Sequence, residues 1–68
     1  MEYSNLIKKL RHKLILTQSE LADLIKVSFS SVNRWENGKH VPTTKIRRKI
    51  VELCLLNHIN IDEMGENQ

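Results

Sequence analysis

The sequence has one cysteine, one proline, two glycines and three aromatic residues. A single cysteine, Cys54, cannot form an internal disulfide, which fits a reducing compartment. No apolar run approaches the roughly 20 residues that a membrane-spanning helix needs, and the N-terminus lacks the apolar segment of a secretory signal. We therefore expect a cytoplasmic protein, with a nuclear location as the alternative, and no membrane among its partners.

The length and charge of the chain narrow its possible functions. We expect its 68 residues to form one domain, with a core over about 4–57 and a frayed tail over about 65–68. A domain of this size buries roughly 60% of the surface of its unfolded chain, which leaves little room for both a core and a deep substrate cavity. The net charge of +3 is compatible with a polyanionic partner but does not prove one.

The apolar residues recur at helical spacing, and strand-type alternation is absent, so the sequence predicts an all-α fold. Thr17 and Glu20 have the spacing of a capping box, and Gly38 has the permissive backbone that ends a helix. Other candidate caps are Ser4, Ser28, Thr43 or Thr44, and Asn60. The predicted helices cover about 4–14, 17–25, 29–36 and 44–56, with a short last turn over 60–64.

The third predicted helix has two different faces. Val32 and Trp35 are three residues apart and can face the core. The opposite face combines hydrogen-bonding groups with one aromatic ring, and groups of this kind read base edges in a major groove. The alternative is an ordinary solvated helix face. The outward residues are Phe29, Ser30, Asn33, Arg34 and Asn37.

The segment 16–42, LTQSELADLIKVSFSSVNRWENGKHVP, resembles the helix-turn-helix of the phage repressor and Cro family, also called the XRE family. The matching positions are Gln18, Ala22, Val32, Trp35 and the run 36–39, and the resemblance covers about residues 5–56. It implies a compact lambda-repressor-like domain of four to five helices that binds double-stranded DNA.

The resemblance and the residue chemistry together suggest roles at a DNA interface. Phe29 suits a thymine methyl, Asn33 can bond adenine bidentately, and Arg34 can do the same to guanine. Ser30 lies beside Phe29 at the entering end of the reading helix. Gln18, at a helix N-terminus, matches the family residue that anchors the unit to a phosphate. The other expected phosphate contacts are Asn37, Lys39, Thr43 and Lys45.

Two further positions follow from the resemblance. Arg11 matches a family arginine that pairs with the glutamate corresponding to Glu36, which implies a structural ion pair. Between its second and third helices this chain has Lys26 where the family usually has glycine. A non-glycine residue at positive φ costs about 1 kcal/mol, so this turn is expected to be strained or reshaped. Lys26 could alternatively contact a phosphate.

Other chemistries have weaker support in the sequence. Cys54 and His58 are four residues apart, but two ligands do not make a structural zinc site. No serine stands in a nucleophile motif with a base and an orienting acid, so we expect neither an enzyme nor a cofactor. The basic run 45–49 is equally consistent with a solvated charged surface.

The sequence favours a sequence-specific DNA-binding regulator, most simply a repressor. The competing hypothesis is a protein-interaction module, since the same fold occurs in antitoxins and in small bridging proteins. The C-terminal helix is apolar on nearly every side, so we also predict a homodimer on a palindromic operator. Leu55 and Ile59 are the expected interface residues, with the alternative that they fold back under the first helix.

Overall fold

The computed structural model describes residues 3–61, which form four α-helices and no strand. The helices are α1 (Tyr3–Lys13), α2 (Gln18–Ile25), α3 (Phe29–Glu36) and α4 (Thr44–Leu56). The predicted all-α class and the four main helices are confirmed. The predicted turn over 60–64 and the tail over 65–68 lie largely or wholly outside the described residues.

Two of the predicted caps, Thr17 and Ser28, make capping hydrogen bonds, whereas Thr43 takes the N-cap position of α4 without one. The Thr17 hydroxyl accepts from the Glu20 amide at 3.1 Å, and the Glu20 carboxylate accepts from the Thr17 amide at 2.8 Å, which completes the capping box. The Ser28 hydroxyl caps α3 by accepting from the Ser31 amide at 3.1 Å. The prediction that Ser4 caps α1 is wrong, because α1 already includes Tyr3 and Ser4 therefore lies inside the helix.

All four helices end in the same backbone motif, in which a left-handed residue directs two amides back to the last carbonyls. After α3, Gly38 has a φ of 74°, and the amide of Lys39 donates to the carbonyl of Arg34 at 2.9 Å. After α2, Lys26 takes the same position with a φ of 63°. The positive φ expected at the turn therefore occurs without glycine. The equivalent residues after α1 and α4 are Ile15 and His58.

The core lies between the four helices. α2 and α3 are joined by only three residues, 26–28, and pack directly against each other. Ala22 is buried on α2, as the match to small family residues implies. α1 and α4 close the core from the other sides. The buried apolar residues are Tyr3, Leu6, Ile7, Leu10, Leu21, Ala22, Ile25, Val32, Trp35, Ile50, Cys54 and Ile59.

Candidate nucleic-acid interface

The two faces of α3 are separated as the spacing predicts. Val32 and Trp35 are buried against the core. On the other side, Ser30 and Arg34 are exposed, and half of the Phe29 surface is exposed at 50%. The Phe29 ring stands at the first residue of the helix. The exposed face of α3 therefore offers an apolar ring, a hydroxyl and a guanidinium to a partner.

The structure brings Arg11 of α1 and Glu36 of α3 together as a bidentate pair. Arg11 Nε donates to Glu36 Oε2 at 2.7 Å, and Arg11 Nη2 donates to Glu36 Oε1 at 3.0 Å. A third guanidinium nitrogen, Nη1, donates to the Leu16 carbonyl at 3.2 Å. Glu36 is only 5% exposed. This pair therefore ties the last turn of α3 to α1 and to the loop that precedes α2.

The same pair controls the ionisation of Glu36. Burial alone would raise the pKa of this carboxyl, but hydrogen bonds from Arg11 and Gln18 outweigh burial and hold the pKa below its ordinary value. Donation of these hydrogen bonds to Glu36 likewise raises the pKa of the Arg11 guanidinium. Glu36 is therefore a buried carboxylate that acts only as a hydrogen-bond acceptor.

Gln18 and Asn33 contact each other across α2 and α3. Gln18 Nε2 donates to Glu36 Oε1 at 3.0 Å, and Asn33 Nδ2 donates to Gln18 Oε1 at 3.2 Å. Asn37 Nδ2 then donates to Asn33 Oδ1 at 3.1 Å. Asn33 is partly buried, whereas Asn37 is exposed. The structure thus places Asn33 at the edge of the α3 face, with its amide held at both ends.

The remaining predicted backbone contacts lie beyond the C-terminal end of α3. Lys39 is exposed in the loop that follows Gly38. Thr43 is the N-cap residue of α4, but its hydroxyl makes no capping hydrogen bond, and Lys45 is exposed in the first turn. The hydroxyl of Thr43 and the ammonium of Lys45 therefore stand at a helix N-terminus, where anions are favoured.

Two cations of the basic run 45–49 have structural partners that the sequence did not reveal. Arg47 Nε donates to the Pro42 carbonyl at 2.9 Å, and its guanidinium lies 5.4 Å from the centre of the Tyr3 ring. Lys49 Nζ donates to the Ile25 carbonyl at 3.3 Å, at the C-terminal end of α2. Sequence spacing alone could not find the contacts with Tyr3 and Ile25, because each joins α4 to a segment that is distant in the sequence. Lys45 and Arg48 are the exposed members of the run.

The C-terminal segment differs from the expectation that both Leu55 and Ile59 are available to a second copy. Ile59 is 7% exposed and belongs to the core, because its amide bonds the Cys54 carbonyl at 2.8 Å and turns the side chain inward. The prediction that Ile59 is uncovered for a second copy is therefore wrong. Leu55 and Leu56 remain exposed, at 59% and 72%. A groove of about 460 Å³ lies beside them, lined by Thr44, Arg47, Arg48, Val51, Glu52 and Leu55.

Neither a cluster of metal ligands nor an exposed thiol is found among the described residues. Among residues 3–61, no group of three or more His, Cys, Asp and Glu side chains could hold a metal ion. Cys54 is buried in the core, and burial raises the pKa of its thiol to about 11. Its predicted neighbour His58 is exposed. In the same range, no helix has the length and apolarity needed to cross a bilayer.

Comparison with known protein families gives a match. The model of a family described as helix-turn-helix matches residues 7–55, which is more than half of the chain. No curated protein and no solved structure matches the chain. The matched region includes the last part of α1, the α2–α3 unit and nearly all of α4, and it contains the ion pair and the outward face of α3. The chain therefore belongs to the XRE-type helix-turn-helix family, a family of DNA-binding regulatory domains.

Proposed function

We propose that this protein is a sequence-specific regulator of transcription that reads the major groove of double-stranded DNA with α3. The observation that supports this most directly is the exposed face of α3, where Phe29, Ser30 and Arg34 point away from the core. The half-exposed Phe29 ring adds an apolar group to the polar groups of this face. Asn33 borders the same surface and presents an amide to it.

Each outward residue has a matching feature on the base pairs. The Arg34 guanidinium can donate two hydrogen bonds to O6 and N7 of guanine, and the Phe29 ring can pack on a thymine methyl. Ser30 can donate or accept, so it suits several bases. Asn33 can bond N6 and N7 of adenine with its amide. Together these groups could specify a short sequence within one major groove.

Residues on both sides of α3 would bind the sugar–phosphate backbone. Gln18 stands at the N-terminus of α2, where free backbone amides favour an anion. Asn37 and Lys39 lie at the opposite end of α3, and Thr43 and Lys45 follow at the start of α4. Contacts on both sides of the groove would fix the register of the reading helix without adding sequence information.

Repression by occlusion of a promoter is the simplest outcome of such binding. A homodimer on a palindromic operator would strengthen it, because two reading helices would then contact half-sites one DNA turn apart. The exposed Leu55 and Leu56 and the groove beside them support a second copy on α4. The same surface would receive the toxin or bridging partner if the protein were an interaction module.

Selection of binding sites from random double-stranded DNA tests the proposal. One enriched motif with two-fold symmetry is expected. Arg34→Ala should then cost about 1–3 kcal/mol on the selected site and little on random DNA. Lys39→Ala should weaken binding to both and flatten the salt dependence, because one phosphate contact is lost.

Lys13→Ala is the matched control, because Lys13 is an exposed cation on α1 in a groove shared with His12 and His58, outside the proposed interface. Lys13→Ala should change the affinities for the selected site and for random DNA little. Equal losses on the selected and random DNA for Arg34→Ala would contradict base reading by α3. An unenriched pool together with tight capture of a protein partner would favour the interaction module instead.

A further inference from the structure

A continuous hydrogen-bonded chain runs from the buried ion pair to the outward face of α3. It begins at Arg11, passes through Glu36, Gln18 and Asn33, and ends at Asn37, with donor–acceptor distances of 2.7, 3.0, 3.2 and 3.1 Å. Exposure increases along it, from 5% at Glu36 to the solvent-exposed Asn37. Helices α1, α2 and α3 are therefore joined by side-chain hydrogen bonds, each with a defined donor and acceptor.

The carboxylate at the buried end sets the direction of every amide that follows. An ionised carboxylate has no proton to donate, so Gln18 must turn its NH₂ group toward Glu36. The Gln18 carbonyl oxygen then faces Asn33, and Asn33 must donate to it with its own NH₂ group. Asn33 Oδ1 is consequently directed the other way, where it accepts from Asn37. Reversing either amide would place two donors or two acceptors in contact.

We propose that Gln18 is a positioning residue for base reading: held by Glu36, it fixes which end of the Asn33 amide donates and which end accepts at the DNA surface. This proposal rests on the proposed function. It adds a specificity-determining role to a residue whose other expected role, a phosphate contact, carries no sequence information. Gln18 can serve both roles, because the hydrogen bond to Glu36 uses only one of its two amide hydrogens.

The fixed orientation has a consequence for recognition. Asn33 keeps one N–H and one oxygen lone pair after its contacts with Gln18 and Asn37 are made. These are the two groups that a bidentate bond to adenine requires. A freely rotating amide would present either order of donor and acceptor and would have to be ordered on binding. An amide already oriented by the protein should discriminate between base pairs more sharply.

Spectra of the free protein test the positioning itself. Gln18→Leu keeps the approximate size of the side chain and removes both hydrogen bonds. In ¹⁵N-labelled protein, the Asn33 side-chain amide signals should move toward those of the exposed Asn5 and exchange faster with water. Ser19→Ala, at the adjacent exposed position of α2, should leave them unchanged. Unmoved Asn33 signals in a folded Gln18→Leu protein would overturn the proposal.

A second variant covers the possibility that Gln18→Leu does not fold. Asn37→Ala removes the donor to Asn33 Oδ1 at an exposed position. Its Asn33 signals should shift in part, because the Gln18 contact remains. No shift at Asn33 in this variant would contradict the chain of contacts on its own.

Binding to DNA tests the consequence for specificity. The measured quantity is the ratio of affinities for the selected site and for the same site with the Asn33-read base pair replaced. A phosphate contact cancels from this ratio, whereas a positioning role does not. Gln18→Leu should lower the ratio roughly tenfold, within the discrimination that one bidentate contact provides.

A double-mutant cycle then assigns that loss to Asn33. In an Asn33→Ala background, Gln18→Leu should change the ratio no further. Independent, additive losses would overturn the positioning role. If the wild-type protein selects no site at all, the proposed function fails, and the free-protein spectra still decide whether Gln18 orients Asn33.

Discussion

At Ile15 the backbone adopts a left-handed conformation that a β-branched side chain disfavours. Its φ is 57°, a conformation that is a genuine outlier for a β-branched residue. The side chain is 88% exposed, so packing contributes too little stabilisation to offset the cost of this backbone conformation. The conformation is held instead by two hydrogen bonds, from the Ile15 amide to the His12 carbonyl at 3.1 Å and from the Leu16 amide to the Arg11 carbonyl at 3.0 Å.

Ile15→Asn should therefore stabilise the protein. Asparagine tolerates the left-handed region, and the exposed isoleucine contributes little apolar burial. The gain in unfolding free energy should be about 1 kcal/mol, measured by urea denaturation. Ile15→Ala is the control, since alanine also removes the exposed isoleucine but lacks the short polar side chain that lets asparagine tolerate the left-handed region, and it should gain much less. Equal stabilisation by both variants would attribute the effect to the exposed side chain and not to the backbone.

The ends of the helices show how far sequence predicts this fold. Thr17, Ser28 and Gly38 carry residue types that favour caps and turns, so their roles could be read directly. Ile15 and His58 could not be recognised as left-handed residues, because neither type favours that conformation strongly enough. Here the backbone hydrogen bonds and the apolar residue that follows each turn decide the conformation.

In the candidate interface, sequence predicts the arrangement within one helix but not the contacts between helices. Helical spacing separates Val32 and Trp35 from the outward residues of α3 without any knowledge of the other helices. The contact between Gln18 and Asn33 depends on how α2 and α3 pack, which spacing within one helix does not contain. The burial of Ile59 could not be predicted for the same reason, because it depends on how the chain turns after α4.

The contact between α1 and α3 through Arg11 and Glu36 should be critical for stability. Their side chains are 19% and 4% exposed, so removing one partner leaves a largely desolvated charge. Glu36→Ala should lower the free energy of unfolding by about 3–5 kcal/mol, a large part of the stability of a small domain. Thermal unfolding followed by circular dichroism measures this. An unchanged melting temperature would show that the pair contributes nothing net.

The same contact should make stability depend on acid pH. The pKa of Glu36 is lowered in the folded protein from an ordinary value of 4.5, so the folded state binds this proton less readily than the unfolded state. The stabilisation is therefore fully present above about pH 4.5 and is lost as the pH falls through the folded pKa. The melting-temperature difference between wild type and Glu36→Gln should shrink over that range. A difference independent of pH would contradict the lowered pKa.

On the scale of the whole molecule, the proposed two-fold dimer involves the outward face of α3 and the exposed apolar side chains of α4. The longest dimension of the protein is 30 Å, close to the spacing of about 34 Å between half-sites one DNA turn apart. In the proposed dimer, a separation of about one molecular length would place the two α3 helices near successive major grooves. Val51, Leu55 and Leu56 lie on the part of α4 that the core does not fully cover.

Leu55→Glu should give a folded monomer that binds a palindromic site weakly. Leu55 is 59% exposed, so the charge remains solvated in one copy, but it would be buried between two. Ile59→Glu is the informative contrast, because Ile59 is 7% exposed and a carboxylate there should unfold the monomer itself. Sedimentation equilibrium and circular dichroism separate the two effects, since only Leu55→Glu should combine native helicity with the monomer mass. A wild-type protein that stays monomeric at high concentration, both free and on a palindromic site, would rule out the dimer.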